Sequence, residues 1–94
     1  MNKYESVVIV QPSLDEEAVK GLIKKFSDLI ETQGKVESVE DMGKKRLAYE
    51  VQKQREGQYL LFNFEAEPTL IVELERNYRI TDEVMKFIVV KKEK

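Results

Sequence analysis

Apolar residues recur along this chain at two spacings, and the spacings lay out its elements. Tyr4 to Val10 is short, rich in Val and Ile, and closed by Gln11-Pro12. A run with so little polar alternation predicts a strand buried on both faces. Val19, Leu22, Ile23, Phe26, Leu29 and Ile30 then fall at helical spacing and form one apolar stripe. Ahead of them Ser13-Leu14-Asp15-Glu16 matches a capping box, with Ser13 as N-cap and Glu16 reaching back. Asp15, Glu16 and Glu17 suit the positive end of a helix dipole, and Gly34 predicts a left-handed cap at the far end.

Lys35 to about Gln52 reads as a long, interrupted strand carrying Val36, Val39 and Met42, then Leu47, Tyr49 and Val51 alternating with Ala48 and Glu50. Gln52-Lys53-Gln54-Arg55-Glu56-Gly57 predicts a polar hairpin loop ending in glycine. Gln58 to Ala66 alternates cleanly, with Leu60, Phe62 and Phe64 on one face and Tyr59, Leu61 and Asn63 on the other. Pro68 suits the first position of a second helix, where its missing N–H costs nothing, and Leu70, Ile71, Leu74 and Tyr78 supply its buried stripe. Thr81-Asp82 turns the chain into a last strand, Val84 to Val90, with Phe87 and Val89 opposite Ile88 and Val90. Lys91-Lys92-Glu93-Lys94 is a short charged tail.

The order β-α-β-β-α-β predicts an α+β, ferredoxin-like domain spanning residues 1–94. Right-handed crossovers put both helices on one face of a four-stranded antiparallel sheet. The side bearing Leu60, Phe62 and Phe64 meets the helices. Tyr59, Leu61, Asn63, Ile88 and Val90 are left on an open face too apolar to stay bare, so an interaction module is expected.

Composition narrows the chemistry. With 94 residues, one helix layer against one sheet is the natural design. The chain has no Cys and no His, which removes disulfides, thiolate chemistry, the commonest general base and the commonest metal ligand. Ser6, Ser13, Ser27 and Ser38 therefore lack an activating base. Small phosphatases of this architecture hold phosphate in a glycine-rich turn after the first strand. Here the turn is Gln11-Pro12-Ser13-Leu14, with neither glycine nor arginine. The acid groups Asp15, Glu16 and Glu17, and Glu37, Glu40 and Asp41, are accounted for by helix-start electrostatics and solvated faces. No enzyme activity, metal or cofactor is expected. No apolar run approaches the roughly 18 residues that span a bilayer, and the polar start is no signal peptide. A cytoplasmic protein without membrane attachment is expected.

Net charge is −2 and unevenly spread. Residues 1–42 carry 5 cations and 9 anions, residues 43–94 carry 11 and 9. The basic charge concentrates at Glu40-Asp41-Met42-Gly43-Lys44-Lys45-Arg46, where Gly43 predicts a bend or bulge that re-aims the strand. Lys44, Lys45 and Arg46 either guard a sheet edge against aggregation or meet a polyanion. Lys53, Arg55, Lys91 and Lys92 add cations nearby, and Arg46 suits bidentate phosphate contact. Gly57 to Phe64 is faintly similar to the aromatic third strand of RNA-recognition motifs, but only Tyr59 is free to stack. Phosphate and shape contacts are expected rather than base readout.

These residues resemble the bacterial small-subunit ribosomal protein family numbered six, from Tyr4-Glu5 to Val90-Lys91. The most specific part is Glu40-Asp41-Met42-Gly43-Lys44-Lys45-Arg46-Leu47-Ala48-Tyr49, an acidic pair, large apolar residue, glycine, basic pair and Leu-Ala-Tyr. Pro12, Gly34, Arg79-Ile80-Thr81-Asp82-Glu83-Val84 and Val89-Val90-Lys91 support it. The resemblance implies a structural ribosomal protein, monomeric when isolated, that pairs with small-subunit ribosomal protein eighteen. It also implies binding to the central domain of the small-subunit (16S) ribosomal RNA. On that similarity Lys45 and Arg46 are the first RNA contacts, followed by Lys44, Lys3 and Lys91. Tyr59, Leu61 and Asn63, with Tyr49, face the protein partner. Three features depart from the family: Glu50 stands where Pro is common, Asn2 replaces a frequent basic residue, and the sequence stops at Lys94 where relatives carry tails that reach over the partner, so tail contacts are not expected. The alternative from another class is a self-associating regulatory module holding a small metabolite between subunits.

Overall fold

The computed structural model describes residues 1–51 and 53–92; Gln52 of the expected loop, Glu93-Lys94 of the tail and the side chain of Val51 lie outside that description. The elements run β1 (Asn2–Val10), α1 (Glu16–Glu31), β2 (Gly34–Val51), β3 (Gln54–Ala66), α2 (Pro68–Ile80) and β4 (Val84–Lys91). Every strand pairing is antiparallel, and the order across the sheet is β2-β3-β1-β4. This is the ferredoxin-like arrangement expected from the sequence, with β2 and β4 at the edges.

The core lies on one side of the sheet. Val19, Leu22, Phe26 and Ile30 of α1 and Leu70, Leu74 and Tyr78 of α2 form one cluster with Val8, Val10, Leu60, Phe62 and Phe64. Burial alternates along β1, where Tyr4, Ser6, Val8 and Val10 are buried while Glu5, Val7 and Ile9 are half-exposed. The expectation that β1 is covered on both faces is therefore corrected: the two helices sit on the same face, and neither covers Val7 and Ile9. Ser6 is, with Thr81, one of two buried polar residues among the described residues. Its hydroxyl lies 2.9 Å from the Tyr78 hydroxyl, and the Tyr78 ring packs edge-on against Phe26 with centroids 4.7 Å apart. Burial pushes the Tyr78 phenol well above its ordinary pKa, helped by the Glu75 charge and opposed by the Ser6 hydrogen bond.

Two caps differ from expectation. The N-cap of α1 is Asp15, whose Oδ1 accepts from the Ala18 N–H at 2.8 Å. Ser13 is instead taken up in the Gln11–Leu14 turn, closed by the Leu14 N–H donating to the Gln11 carbonyl at 3.4 Å. That turn points Leu14 into the core, so Leu14 and Val19 take the two positions of a hydrophobic staple flanking an Asp15 cap. At the other end Thr32, in right-handed helical conformation, is the C-cap. Gly34 is not left-handed. It pairs with Ala66, and a Cβ there would lie 2.1 Å from the Glu65 carbonyl oxygen, so close strand approach is what requires glycine. The loop after β2 is also shorter than expected: β3 begins at Gln54, and Gly57 is a buried strand residue paired with Lys45.

Length explains the shape of β2. Its 18 residues would extend about 59 Å if straight, whereas the molecule is 37 Å in its longest dimension. The strand must bend, and its pairing with β3 shifts register between Val36 and Ser38, between Asp41 and Gly43, and between Arg46 and Val51. The first shift lets Val36 and Val39, three residues apart, both pack against the core. At the second, Gly43 takes φ 79°, and its N–H donates to Asp41 Oδ1 at 2.9 Å. Gln58 donates to both Asp41 oxygens at 2.9 Å, bracing the bulge from β3.

Two outcomes follow from this packing. Tyr78→Phe leaves the Ser6 hydroxyl buried without its partner and is expected to cost about 1–3 kcal/mol at neutral pH. Because the folded-state pKa of Tyr78 is raised, that residue's stabilisation is complete below its ordinary value and declines as pH rises above about 10, where the unfolded phenol ionises first. The urea midpoints of wild type and Tyr78→Phe should therefore converge as pH rises through that window; a gap that widens would contradict the buried neutral phenol. For Gly43→Ala no atom lies within 4 Å of the added Cβ, so the positive φ alone should cost about 1–2 kcal/mol. Gly43→Asn should lose measurably less in the same urea titration.

Candidate nucleic-acid interface

Downstream of the Gly43 bulge β2 pairs regularly again, with Lys44 opposite Gln58, Lys45 opposite Gly57 and Arg46 opposite Glu56. Side chains of a strand alternate between faces, so the basic run is divided. Lys45 shares the open face with Tyr59, its Nζ 5.8 Å from the ring centroid, a cation–π distance. Lys44 and Arg46 lie on the face that carries the helices, beyond the helices' reach. All three cations are exposed and none forms an ion pair among the described residues. Because β2 is an edge strand, the corner offers positive charge on both flanks of a rigid rim. That geometry suits a polyanion backbone running along the rim better than a pocket for a single anion.

Lys3 and Lys91 do not join this group. Lys3 pairs with Glu65 and Lys91 with Tyr4, whereas the corner pairs with residues 56–58. The eight steps along β3 from Gly57 to Glu65 separate the groups by about 26 Å. Lys3 also has an acidic neighbour, Glu37 Oε2 at 3.7 Å from its Nζ. The five cations singled out from the sequence thus fall into two sets at opposite ends of the sheet.

The four residues expected to face a protein are better gathered. Tyr59, Leu61 and Asn63 occupy successive open-face positions of β3, beside Val7 and Ile9 of β1. Ile88 and Val90 of β4 complete the patch, each 52% exposed. Asn63 is already engaged: its amide donates to Ser38 Oγ at 3.1 Å, and its carbonyl oxygen accepts from Lys92 Nζ. Tyr49 reaches the same face by another route. Leu47 to Glu50 lie in the third register shift, where β2 advances five residues while β3 advances two. From there Tyr49 accepts a hydrogen bond from Lys86 Nζ at 2.8 Å, so the hairpin tip lies over one end of the open face.

Lys86 was not visible as a functional candidate in the sequence. It is the lone cation among Val84-Met85-Lys86-Phe87-Ile88-Val89-Val90, and the signal that marks it is its spacing from Ile88 and Val90, which puts it on the open face. Its hydrogen bond and charge hold the Tyr49 phenol below its ordinary pKa. The same hydrogen bond, then the Tyr49 charge, raises that of Lys86. Asp41 and Gln58 were also missed; their role is to fix the bulge that aims the corner.

Comparison with known proteins bears on what the rim meets. The sequence model of the family described as ribosomal protein S6 matches residues 3–91. The small ribosomal subunit protein bS6 of Clostridium novyi (strain NT) is 53% identical over 95 residues, covering 100% of both chains. The protein of the same name from Exiguobacterium sp. (strain ATCC BAA-1283 / AT1b) is 50% identical, again over 100% of both. The crystal structure of 30S ribosomal protein S6 from Thermotoga maritima superposes with a TM-score of 0.91 at 33% identity, covering 97% of this chain and 87% of that one. No helix among the described residues is long and apolar enough to cross a membrane. The chain belongs to the ribosomal protein S6 family of the small ribosomal subunit, whose members are structural, non-enzymatic components of the cytoplasmic ribosome.

Proposed function

We propose that this chain binds the central domain of the small-subunit (16S) ribosomal RNA together with small-subunit ribosomal protein eighteen. In this reading residues 1–94 act as one ferredoxin-like domain whose β2 rim meets RNA and whose open face meets the protein. The observation that carries the RNA half is the Gly43 bulge. It turns Lys44, Lys45 and Arg46 outward on an edge strand, free of ion pairs among the described residues. A bulge or a charge can each guard an edge; the bracing by Asp41 and Gln58 adds a fixed direction for the three cations, which edge protection does not call for. Lys3 and Lys91 form a second, smaller contact set at the far end of the sheet. For the protein half, Tyr59 and Leu61 offer an apolar centre, and Asn63 and Tyr49 lie toward its two ends. With a net charge of −2, few phosphates are neutralised, so the chain alone should bind RNA weakly and gain affinity when the partner adds its own contacts. The self-associating regulatory reading has no support beside membership of a ribosomal family.

A gel shift on a central-domain RNA fragment, with and without the partner protein, tests both halves. Lys45→Ala/Arg46→Ala should weaken binding, reduce the salt slope by about two, and leave the urea midpoint nearly unchanged because exposed charges contribute little to folding. An unaltered affinity would remove RNA contact from the corner. Leu61→Asp should abolish the partner's enhancement while leaving binding by the isolated chain as it was. Should the pair bind no more tightly than either protein alone, joint binding is wrong.

A further inference from the structure

The contact between Tyr49 and Lys86 crosses the sheet. Tyr49 belongs to β2 and Lys86 to β4, the two opposite edges in the order β2-β3-β1-β4. In a flat sheet those edges are three strand spacings, about 14 Å, apart. Side chains stand roughly perpendicular to a sheet, so a direct contact across that span, with Leu47 and Ala48 lining a hollow beside Ile9, puts the end of β2 out of the sheet plane and over its open face. The register between Arg46 and Val51 records the departure. The tip then forms a roof over a hollow of about 140 Å³ lined by Ile9, Leu47, Ala48, Tyr49, Tyr59 and Lys86.

Two interactions hold the roof at one point. Lys86 Nζ donates to the Tyr49 hydroxyl at 2.8 Å, and it lies 5.2 Å from the Tyr49 ring centroid. Among the described residues this is the one side-chain hydrogen bond that ties residues 47–56 to β1 or β4. The other charged contact of the tip, Glu50 with Arg55 Nε at 3.7 Å, is exposed and joins the two arms of the hairpin to each other; it contributes little and fixes no direction relative to the sheet. Three residues upstream of Tyr49 on the same strand stands Arg46, and Lys45 leans on Tyr59, another wall of the hollow. The direction of the corner is thus coupled to the angle at which the tip closes.

We propose that Tyr49 and Lys86 are positioning residues that latch the β2–β3 hairpin across the open face and thereby set the direction in which Lys44, Lys45 and Arg46 present their charge. The latch fixes the rim before RNA arrives, so less freedom is lost on binding. Its effect on RNA affinity rests on the function proposed above; its effect on the hairpin does not.

The test uses Tyr49→Phe, which removes the hydrogen bond without changing charge, Lys86→Met, which removes both interactions, and Lys86→Arg, which restores a cation of similar reach. Residual dipolar couplings of the backbone amides of residues 44–56 in the free protein report hairpin orientation, with those of β1 as the internal reference. Couplings should shrink in Lys86→Met, shrink less in Tyr49→Phe, and recover in Lys86→Arg, while β1 is unchanged. On a central-domain RNA fragment, Tyr49→Phe should bind about two- to fivefold more weakly, the scale of one exposed hydrogen bond, at an unchanged salt slope. Unaltered couplings in Lys86→Met overturn the latch whatever the RNA does. Looser couplings with unaltered RNA affinity overturn the positioning role. A salt slope lowered by about one in Lys86→Met but restored in Lys86→Arg, with no affinity change in Tyr49→Phe, overturns it too, because Lys86 is then a phosphate contact. If wild type binds no RNA, the proposed function fails, and the couplings still decide the latch.

Discussion

Two helices of 16 and 13 residues can cover only one face of this sheet, and its second strand is too long for the molecule that contains it. Both candidate surfaces descend from that mismatch. Helix rise is about 1.5 Å per residue, so α1 spans about 24 Å, while β2 needs more than twice that if it stays straight. The part of the β2–β3 hairpin beyond the helices has no core to bury. It carries cations beside Leu47, Ala48 and Tyr49, which line the hollow over the open face, and it bends at defined places.

Burying only one face also sets what the open face is. Val8, Val10, Leu60, Phe62 and Phe64 meet α1 and α2, and strand alternation then sends Val7, Ile9, Tyr59 and Leu61 the other way. Those residues remain apolar, although water would accept polar ones at no loss to the core. In the proposed function a partner protein covers this open face, with the hairpin tip over one end of it. The cations of the corner discourage edge-to-edge pairing of the free chain, and in the proposed function the same cations meet phosphate.

Much of this was legible in the chain. The stripe from Val19 to Ile30, Pro68 at the first turn of α2, and the two faces of Gln58 to Ala66 are local patterns with one physical reading each, and each stands as read. Gly43 was also legible, because a glycine inside a strand pattern just ahead of three cations marks a bend or bulge. The misreadings share a cause. Ser13 fitted a capping box, but Asp15 caps because Leu14 is drawn into the core. Gly34 fitted a helix cap, but it is needed because Ala66 of another strand comes too close for a side chain. Val7 and Ile9 fitted a fully buried strand, but both helices chose the other face.

What the sequence by itself determined was the element order, the helix-facing positions, the family and the existence of a basic corner, all of which depend on neighbours within a few residues. The tertiary structure alone decided which cations act together. Lys3 and Lys91 stand about 26 Å from the corner because antiparallel pairing sends them to the opposite end of the sheet. Lys86, 37 residues from Tyr49 in sequence, meets it because a strand that cannot run straight folds back over the sheet. Alternation and spacing are properties of the chain, whereas the register shifts that bend β2 are settled by what it pairs with. The aim of Lys44, Lys45 and Arg46 therefore became readable only once β2 was seen bending against β3.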